Sequence, residues 1–172
     1  FIVSHPARIA RGVLCRELVS QYDFMPTLLD YVGIDNLQSA SLPGKSFVGM
    51  LDGTETATGS HVVVFDEYGP VRMIRNREWK YVHRFAQGPN ELYDCSRDPH
   101  EQRNLAGHAS FRAREEALRQ ELSAWFSRYV VPACDGSRYL VTGSGQIGRC
   151  AEAAERQTVF STSRVASLLD QF

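Results

Sequence analysis

Residues 71–106 constrain this chain more than any other stretch: VRMIRNREWKYVHRFAQGPNELYDCSRDPHEQRNLA. Two runs, 71–75 and 79–85, are rich in β-branched and aromatic residues, with Asn76, Arg77 and Glu78 between them. Gly88-Pro89-Asn90 then breaks the chain before a third run, 91–93. The spacing predicts a small antiparallel meander. In its second run Trp79, Tyr81, His83 and Phe85 share one face, and Lys80, Val82 and Arg84 share the other. His83 therefore reads as a packed member of an aromatic row, not as a ligand. Asp98-Pro99-His100-Glu101 follows, with Asp at an N-cap, Pro at the first helical position and Glu at N3. A helical turn is expected there, with Asp98 accepting from the Glu101 N–H and the Glu101 side chain reaching back to the Asp98 N–H.

The flanking pattern extends the sheet and adds helices. Val62 to Phe65 is continuously apolar, which predicts a strand covered on both faces. Asp66 and Glu67 are neighbours on that run, so they point to opposite faces and form no acid–base pair. Residues 110–129 read as a helix, with Phe111, Leu118, Leu122, Trp125 and Tyr129 in one stripe and Glu115–Arg119 as an i,i+4 pair. Its stripe should cover one face of the sheet. Residues 19–32 read as a second helix, with Asp23 at its N-cap and Pro26 in the first turn. Met25, Leu28, Leu29 and Val32 form its apolar stripe, and Gly33 ends it. Asp23 has a competing reading as an active-site carboxylate, but the cap accounts for it. Phe47, Val48, Met50 and Leu51 suggest one short helix beside a surface Lys45. Residues 1–4 read as a buried strand ended by His5-Pro6.

Composition narrows the function. With 172 residues and 43% hydrophobic content the chain can bury a core. A net charge of -1 argues against a nucleic-acid partner. No apolar run approaches the roughly 20 residues of a membrane span. Four cysteines, at positions 15, 95, 134 and 150, form no C-x-x-C pair, which argues against structural zinc. Cys134 and Cys150 either close a loop worth about 3 kcal/mol or remain free thiols. No phosphate loop, H-E-x-x-H or G-x-S-x-G is present. The chain starts at Phe1 without a signal-peptide pattern. Either a leader has been removed or the sequence is a piece of something longer.

The order Arg77, Lys80-Tyr81, Glu91-Leu92-Tyr93-Asp94, Asp98-Pro99, Glu101, Asn104-Leu105-Ala106 resembles the end of a sulfatase, an alkaline-phosphatase-like hydrolase. The resemblance extends to Val19-Ser20, Asp23, Pro26-Thr27-Leu28-Leu29-Asp30, Gly33-Ile34, Gly44-Lys45-Ser46-Phe47 and Leu51-Asp52-Gly53, and covers residues 1–129. It implies an α+β fold: the C-terminal subdomain of an α/β alkaline-phosphatase-like protein, a small antiparallel sheet packed by a C-terminal helix. Residues 1–60 would end the large α/β domain, 61–131 would form the sheet and terminal helix, and 132–172 a Gly-rich loop and extension.

The same resemblance implies a sulfuric-ester hydrolase that uses formylglycine and calcium. Its nucleophile motif, C/S-x-P-x-R, and its metal ligands would lie upstream of Phe1. No catalytic residue and no metal ligand is then expected in this segment. Its partner would be the upstream catalytic domain of the same enzyme, with self-association through an unpaired 1–4 strand as the other expectation. Four residues are substrate-facing candidates: His5 at the end of the first strand, and Thr142, Gly143 and Gln146, where backbone N–H groups can meet an anion. Cys134-Asp135-Gly136-Ser137-Arg138 imitates the nucleophile motif, but Gly136 replaces its Pro and it follows the terminal helix. The alternative reading, from another class, is a non-catalytic binding or structural module that keeps this fold.

Overall fold

The computed structural model of the chain describes residues 1–34, 41–54, 59–65, 71–85, 89–132, 135 and 137. These divide into two compact units, one of residues 1–63 with 75–78, the other of 64–74 with the residues from Trp79 onward.

In the first unit a 3-10 turn, Gln21–Asp23, runs directly into helix α1, Phe24–Tyr31. The helical segment is shorter than 19–32, and the 3-10 turn ahead of α1 carries a cap of its own. Ser20 is the N-cap, its Oγ accepting from the Tyr22 N–H at 3.3 Å, and the Asp23 carboxylate accepts from the Ser20 N–H at 2.7 Å. Asp23 is the N-cap residue of α1, as expected, but its carboxylate makes no cap bond to that helix and serves instead as the far half of the capping box on the 3-10 turn. Gly33 ends the helix as expected, at φ 74, with its N–H donating to the Asp30 carbonyl at 3.0 Å. Helix α2, Val48–Asp52, is the short helix expected after Phe47, and Gly53 follows it at φ 80.

The apolar stripe of α1 points outward. Phe24, Met25, Leu28 and Val32 are all about half exposed, while Pro26 and Thr27 are the buried residues. Thr27 Oγ1 donates to the Asp23 carbonyl and accepts from the Phe47 N–H at 3.0 Å. Residues 1–4 do not form a strand. They are exposed, Ile2 completely so, and no described strand runs beside them. A strand needs a ladder partner for its N–H and C=O groups, and an apolar run alone does not supply one. The Phe1 ring instead stacks on Phe24 at 6.3 Å and meets Phe47 at 5.7 Å.

The sheet has four strands in sequential order: β1 (Val62–Phe65), β2 (Val71–Arg75), β3 (Trp79–Arg84) and β4 (Glu91–Asp94). β3 and β4 pair antiparallel, with Trp79 opposite Asp94 and Val82 opposite Glu91. Ile74, Tyr81 and Leu92 are fully buried, each contributing about 1.5–3 kcal/mol of apolar burial. β1 is an edge strand. Val64 and Phe65 are partly exposed, so it is not covered on both faces as its unbroken apolar run suggests.

Helix α3, Arg112–Tyr129, follows a 3-10 turn at Ala109–Phe111 and lies against β3. Its buried residues are Leu118, Leu122 and Phe126. A step of four carries the stripe to Phe126, while Trp125 and Tyr129 flank it. The expected Glu115–Arg119 pair is replaced. Arg119 forks onto Glu116 with two 2.7 Å bonds, and Glu115 instead accepts from the Gly107 N–H at 2.9 Å. Gly107 sits at φ 75 in the turn before α3, and that turn aims its N–H at Glu115.

The Asp98–Glu101 segment is a turn, not a capped helix. Glu101 stands at φ 55, its N–H donates to the Asp98 carbonyl, and its carboxylate pairs with Lys80. Asp98 Oδ2 accepts from the Arg103 N–H at 2.9 Å. The ion pair to β3 draws the Glu101 side chain away from the box.

Candidate functional site

The motif residues at the sheet end prove to be structural. Asn104 Oδ1 accepts from the N–H groups of Leu92 at 3.0 Å and Ala106 at 2.9 Å, while its Nδ2 donates to the Asn90 carbonyl at 3.0 Å. The Leu105 N–H donates to the Leu92 carbonyl at 2.8 Å. Arg84 pairs with Glu91, and Arg77, in the other unit, pairs with Glu17. Asn104 thus stitches backbone to backbone, and the two ion pairs tie side chain to side chain.

The same holds for Gly44-Lys45-Ser46. The Lys45 N–H donates to Asp23 Oδ1 at 2.8 Å, and Ser46 Oγ donates to Asp30 Oδ2 at 2.6 Å. Both oxygens of the Asp23 carboxylate are thereby engaged by backbone N–H groups, on Ser20 and Lys45. The active-site alternative for Asp23 finds no support in this geometry.

His5 has company that the sequence did not announce. Its Nδ1 lies 2.6 Å from the Tyr31 hydroxyl, and its ring meets the Tyr31 ring edge-on at 5.8 Å. The Arg8 guanidinium stacks 4.3 Å from the centre of the same ring and donates to the Tyr31 carbonyl at 3.0 Å. The turn that begins at His5 brings Arg8 round, because the His5 carbonyl accepts from the N–H groups of Arg8 and Ile9. Imidazole, phenol and guanidinium form one exposed polar cluster at the end of α1. The H-P-A-R spacing was the only signal for Arg8, and nothing in the sequence pointed to Tyr31. Beside it, a cavity of about 630 Å³ has Phe1, Val3, Leu14 and Met50 in its wall, with Arg11 and Glu17 among its polar lining.

The other candidates lie elsewhere. Thr142, Gly143 and Gln146, and the Cys134–Cys150 pair, fall outside the described residues. Cys15 and Cys95 are in no disulfide. Among the described residues no three His, Cys, Asp or Glu side chains come together to hold a metal ion.

His83 is packed, as its aromatic row implies. Its Nδ1 lies 2.9 Å from the Tyr81 hydroxyl and its ring meets Phe85 edge-on at 4.3 Å. Burial, and then the charges of Arg119 and Arg72, hold its pKa below the ordinary 6.5. Burial pushes the Tyr81 phenol up to about 12. The folded state therefore prefers neutral His83. Its contribution is complete above the unfolded value of about 6.5 and declines as pH falls below it, because the unfolded chain takes the proton first. Urea unfolding at pH 7 and pH 5 should show a smaller loss of stability on acidification in His83→Gln than in the parent. Equal losses would mean that the imidazole is not felt.

Comparisons with known proteins agree with this architecture. The profile of the family described as N-sulphoglucosamine sulphohydrolase, C-terminal, matches residues 1–127. An ulvan-active sulfatase of Formosa agariphila is 25% identical over 161 residues, covering 73% of this chain and 32% of the relative. A Δ4,5-hexuronate-2-O-sulfatase of Bacteroides thetaiotaomicron is 37% identical over 92 residues, covering 49% of this chain and 18% of the relative. Among solved structures, a 2-O glycosaminoglycan sulfatase superposes with a TM-score of 0.53 at 31% identity, covering 62% of this chain and 24% of the other. The chain thus spans about a third or less of the length of these relatives.

Proposed function

From its membership of the sulfatase C-terminal family, to which this chain belongs, we propose that it serves as the non-catalytic end of a sulfuric-ester hydrolase. The observation that carries this reading is the match over residues 1–127, three quarters of the chain, on a fold in which Asn104 and Asp98 of the motif hold backbone N–H groups. In this reading residues 1–60 complete the large α/β domain, 61–131 form the small sheet with its helix, and 132–172 extend beyond it. The nucleophile, read as formylglycine, and the calcium ligands belong to upstream sequence.

The exposed apolar residues of the first unit fit such an arrangement. Phe1, Ile2 and Val3, with Phe24, Met25, Leu28 and Val32 of α1, all leave apolar side chain exposed, and clustered exposed apolar residues mark interaction surfaces. Coverage by the upstream domain would bury them. Self-association through the same residues is the competing outcome. The His5–Tyr31–Arg8 cluster is then the candidate for the cleft wall, since a guanidinium beside an imidazole suits an anionic ester. The relatives' names favour sulfated sugars as substrates. The second reading, a free-standing binding module, draws on the sheet unit, whose Ile74, Tyr81 and Leu92 are buried without upstream sequence.

The test compares the segment alone with the protein carrying its upstream region. The segment alone should not hydrolyse an aryl sulfate, and the longer protein should release sulfate from an aryl sulfate or a sulfated oligosaccharide. Inactivity of the longer protein on both would favour the binding module. Turnover by the segment alone would mean that it holds a catalytic group of its own.

A further inference from the structure

At the start of α3 the side chains of Trp79, Phe111, His108 and Arg114 come together. Trp79, the first residue of β3, and Phe111, the last of the 3-10 turn, have rings 5.9 Å apart at 52°. They make an open angle, not a stack. On one side the Arg114 guanidinium stands 5.4 Å from the Trp79 ring centre. On the other the His108 ring lies 5.7 Å from Phe111. His108 and Arg114 are exposed, while Trp79 and Phe111 are half-buried and so fixed in place.

The electrostatics of this corner are unusual. Arg112 and Arg114 occupy the first turn of α3, where the helix dipole disfavours cations. The nearby acids are engaged elsewhere: Glu115 by the Gly107 N–H and Glu116 by Arg119. Among the described residues neither Arg112 nor Arg114 makes an ion pair. His108 Nδ1 accepts from the Ser110 N–H, so Nε2 carries the proton of the neutral ring and can donate outward.

We propose that Trp79, Phe111, Arg114 and His108 form a surface site for a sulfated polysaccharide, separate from the His5 cluster. The aromatic angle offers ring faces to the apolar face of a pyranose. Arg114 presents planar donors to a sulfate oxygen, and a guanidinium resting on an aromatic face keeps those donors available. His108 supplies a second donor across the rings. The choice of a sulfated sugar over another polyanion rests on the sulfatase reading. Such a site would hold the polymer near the enzyme without taking part in the chemistry.

The experiment uses the full-length protein in native gels cast with dextran sulfate or with neutral dextran. The parent should be retarded by dextran sulfate only. Arg114→Gln, an exposed change that leaves the core intact, should weaken retardation about five-fold or more, the loss of one charge-assisted contact. Trp79→Phe, which keeps a ring, should weaken it less than Trp79→Leu. Arg128→Gln is the control, since Arg128 also stands beside a ring, Tyr129, but at the far end of α3. Parent protein that is not retarded, Arg114→Gln that matches the parent, or Arg128→Gln that loses as much as Arg114→Gln would each overturn the proposal. Retardation needs no turnover, so these outcomes are independent of whether the same protein hydrolyses an aryl sulfate.

Discussion

Gly44→Ala should unfold much of the first unit, at a cost of about 3 kcal/mol or more. Gly44 is buried, and a Cβ built on it would overlap the Tyr22 carbonyl group and stand 2.8 Å from the Asp23 nitrogen. These are backbone atoms of the capping turn and have no side-chain rotamer by which to move aside. The added methyl must therefore push the 44–47 loop away from α1. Three hydrogen bonds go with it: Lys45 N–H to Asp23, Ser46 Oγ to Asp30, and Phe47 N–H to Thr27. Asp23 and Thr27 would then be left half-satisfied beside the displaced loop. Two other glycines calibrate the result. Gly59→Ala, whose Cβ meets only the His61 carbonyl at 3.7 Å, should be nearly neutral. Gly33→Ala meets nothing but must adopt φ 74, and should cost about 1 kcal/mol. Urea unfolding of the three variants gives the order, and a Gly44→Ala protein as stable as Gly59→Ala would show that the loop is not clasped as described.

Phe126→Ala should cost about 3–5 kcal/mol in the sheet unit. The ring is buried beneath α3, 5.3 Å from Phe65 and 4.9 Å from Trp125. Its face carries the Arg72 guanidinium at 3.6 Å, with Phe85 further away at 4.8 Å. Arg72 is largely desolvated there and paired with Asp135, and burial lowers its pKa while Asp135 opposes the shift. Removing the ring opens a cavity and strips the cation of its main aromatic contact. Phe126→Leu should retain most of the burial but lose the cation–π part, about 0.5–2 kcal/mol. Crossing Phe126→Leu with Arg72→Met in a double-mutant cycle isolates that part. A coupling of zero would mean that Phe126 acts by volume alone.

The sheet was readable because its signals are local. Three β-rich runs with a Gly-Pro-Asn break between them admit few arrangements, and the strands pair in the order in which they occur. The α3 stripe was readable up to Leu122. Trp125 and Phe126 are adjacent and both aromatic, and periodicity does not choose between them. The choice is made by Arg72 and Phe65, which come from the sheet and are far away in sequence.

The errors share one cause. An apolar pattern tells what a segment would bury, not whether a partner is present. Residues 1–4 and the α1 stripe carry the pattern of core elements and are exposed. Asp98-Pro99-His100-Glu101 carries a cap pattern, yet Lys80 claims Glu101 from a neighbouring strand. Of the candidate site, His5 was legible as a residue at the end of an apolar run, while its contacts with Tyr31 and Arg8 depend on a turn of which only the H-P-A-R spacing gave a sign.

The Asp23 carboxylate holds main-chain N–H groups, of Ser20 on one side and Lys45 on the other. This divides the tolerance to substitution unequally between the two ends of the clasp. At position 45 the bond comes from an atom that nineteen of the twenty amino acids share, so only proline is barred on that ground. At position 23 a short side chain must accept from both directions at once, which aspartate does and few others can. Position 45 is therefore free to change its surface chemistry over time while this bond stays fixed, and the record of the bond is written at the aspartate.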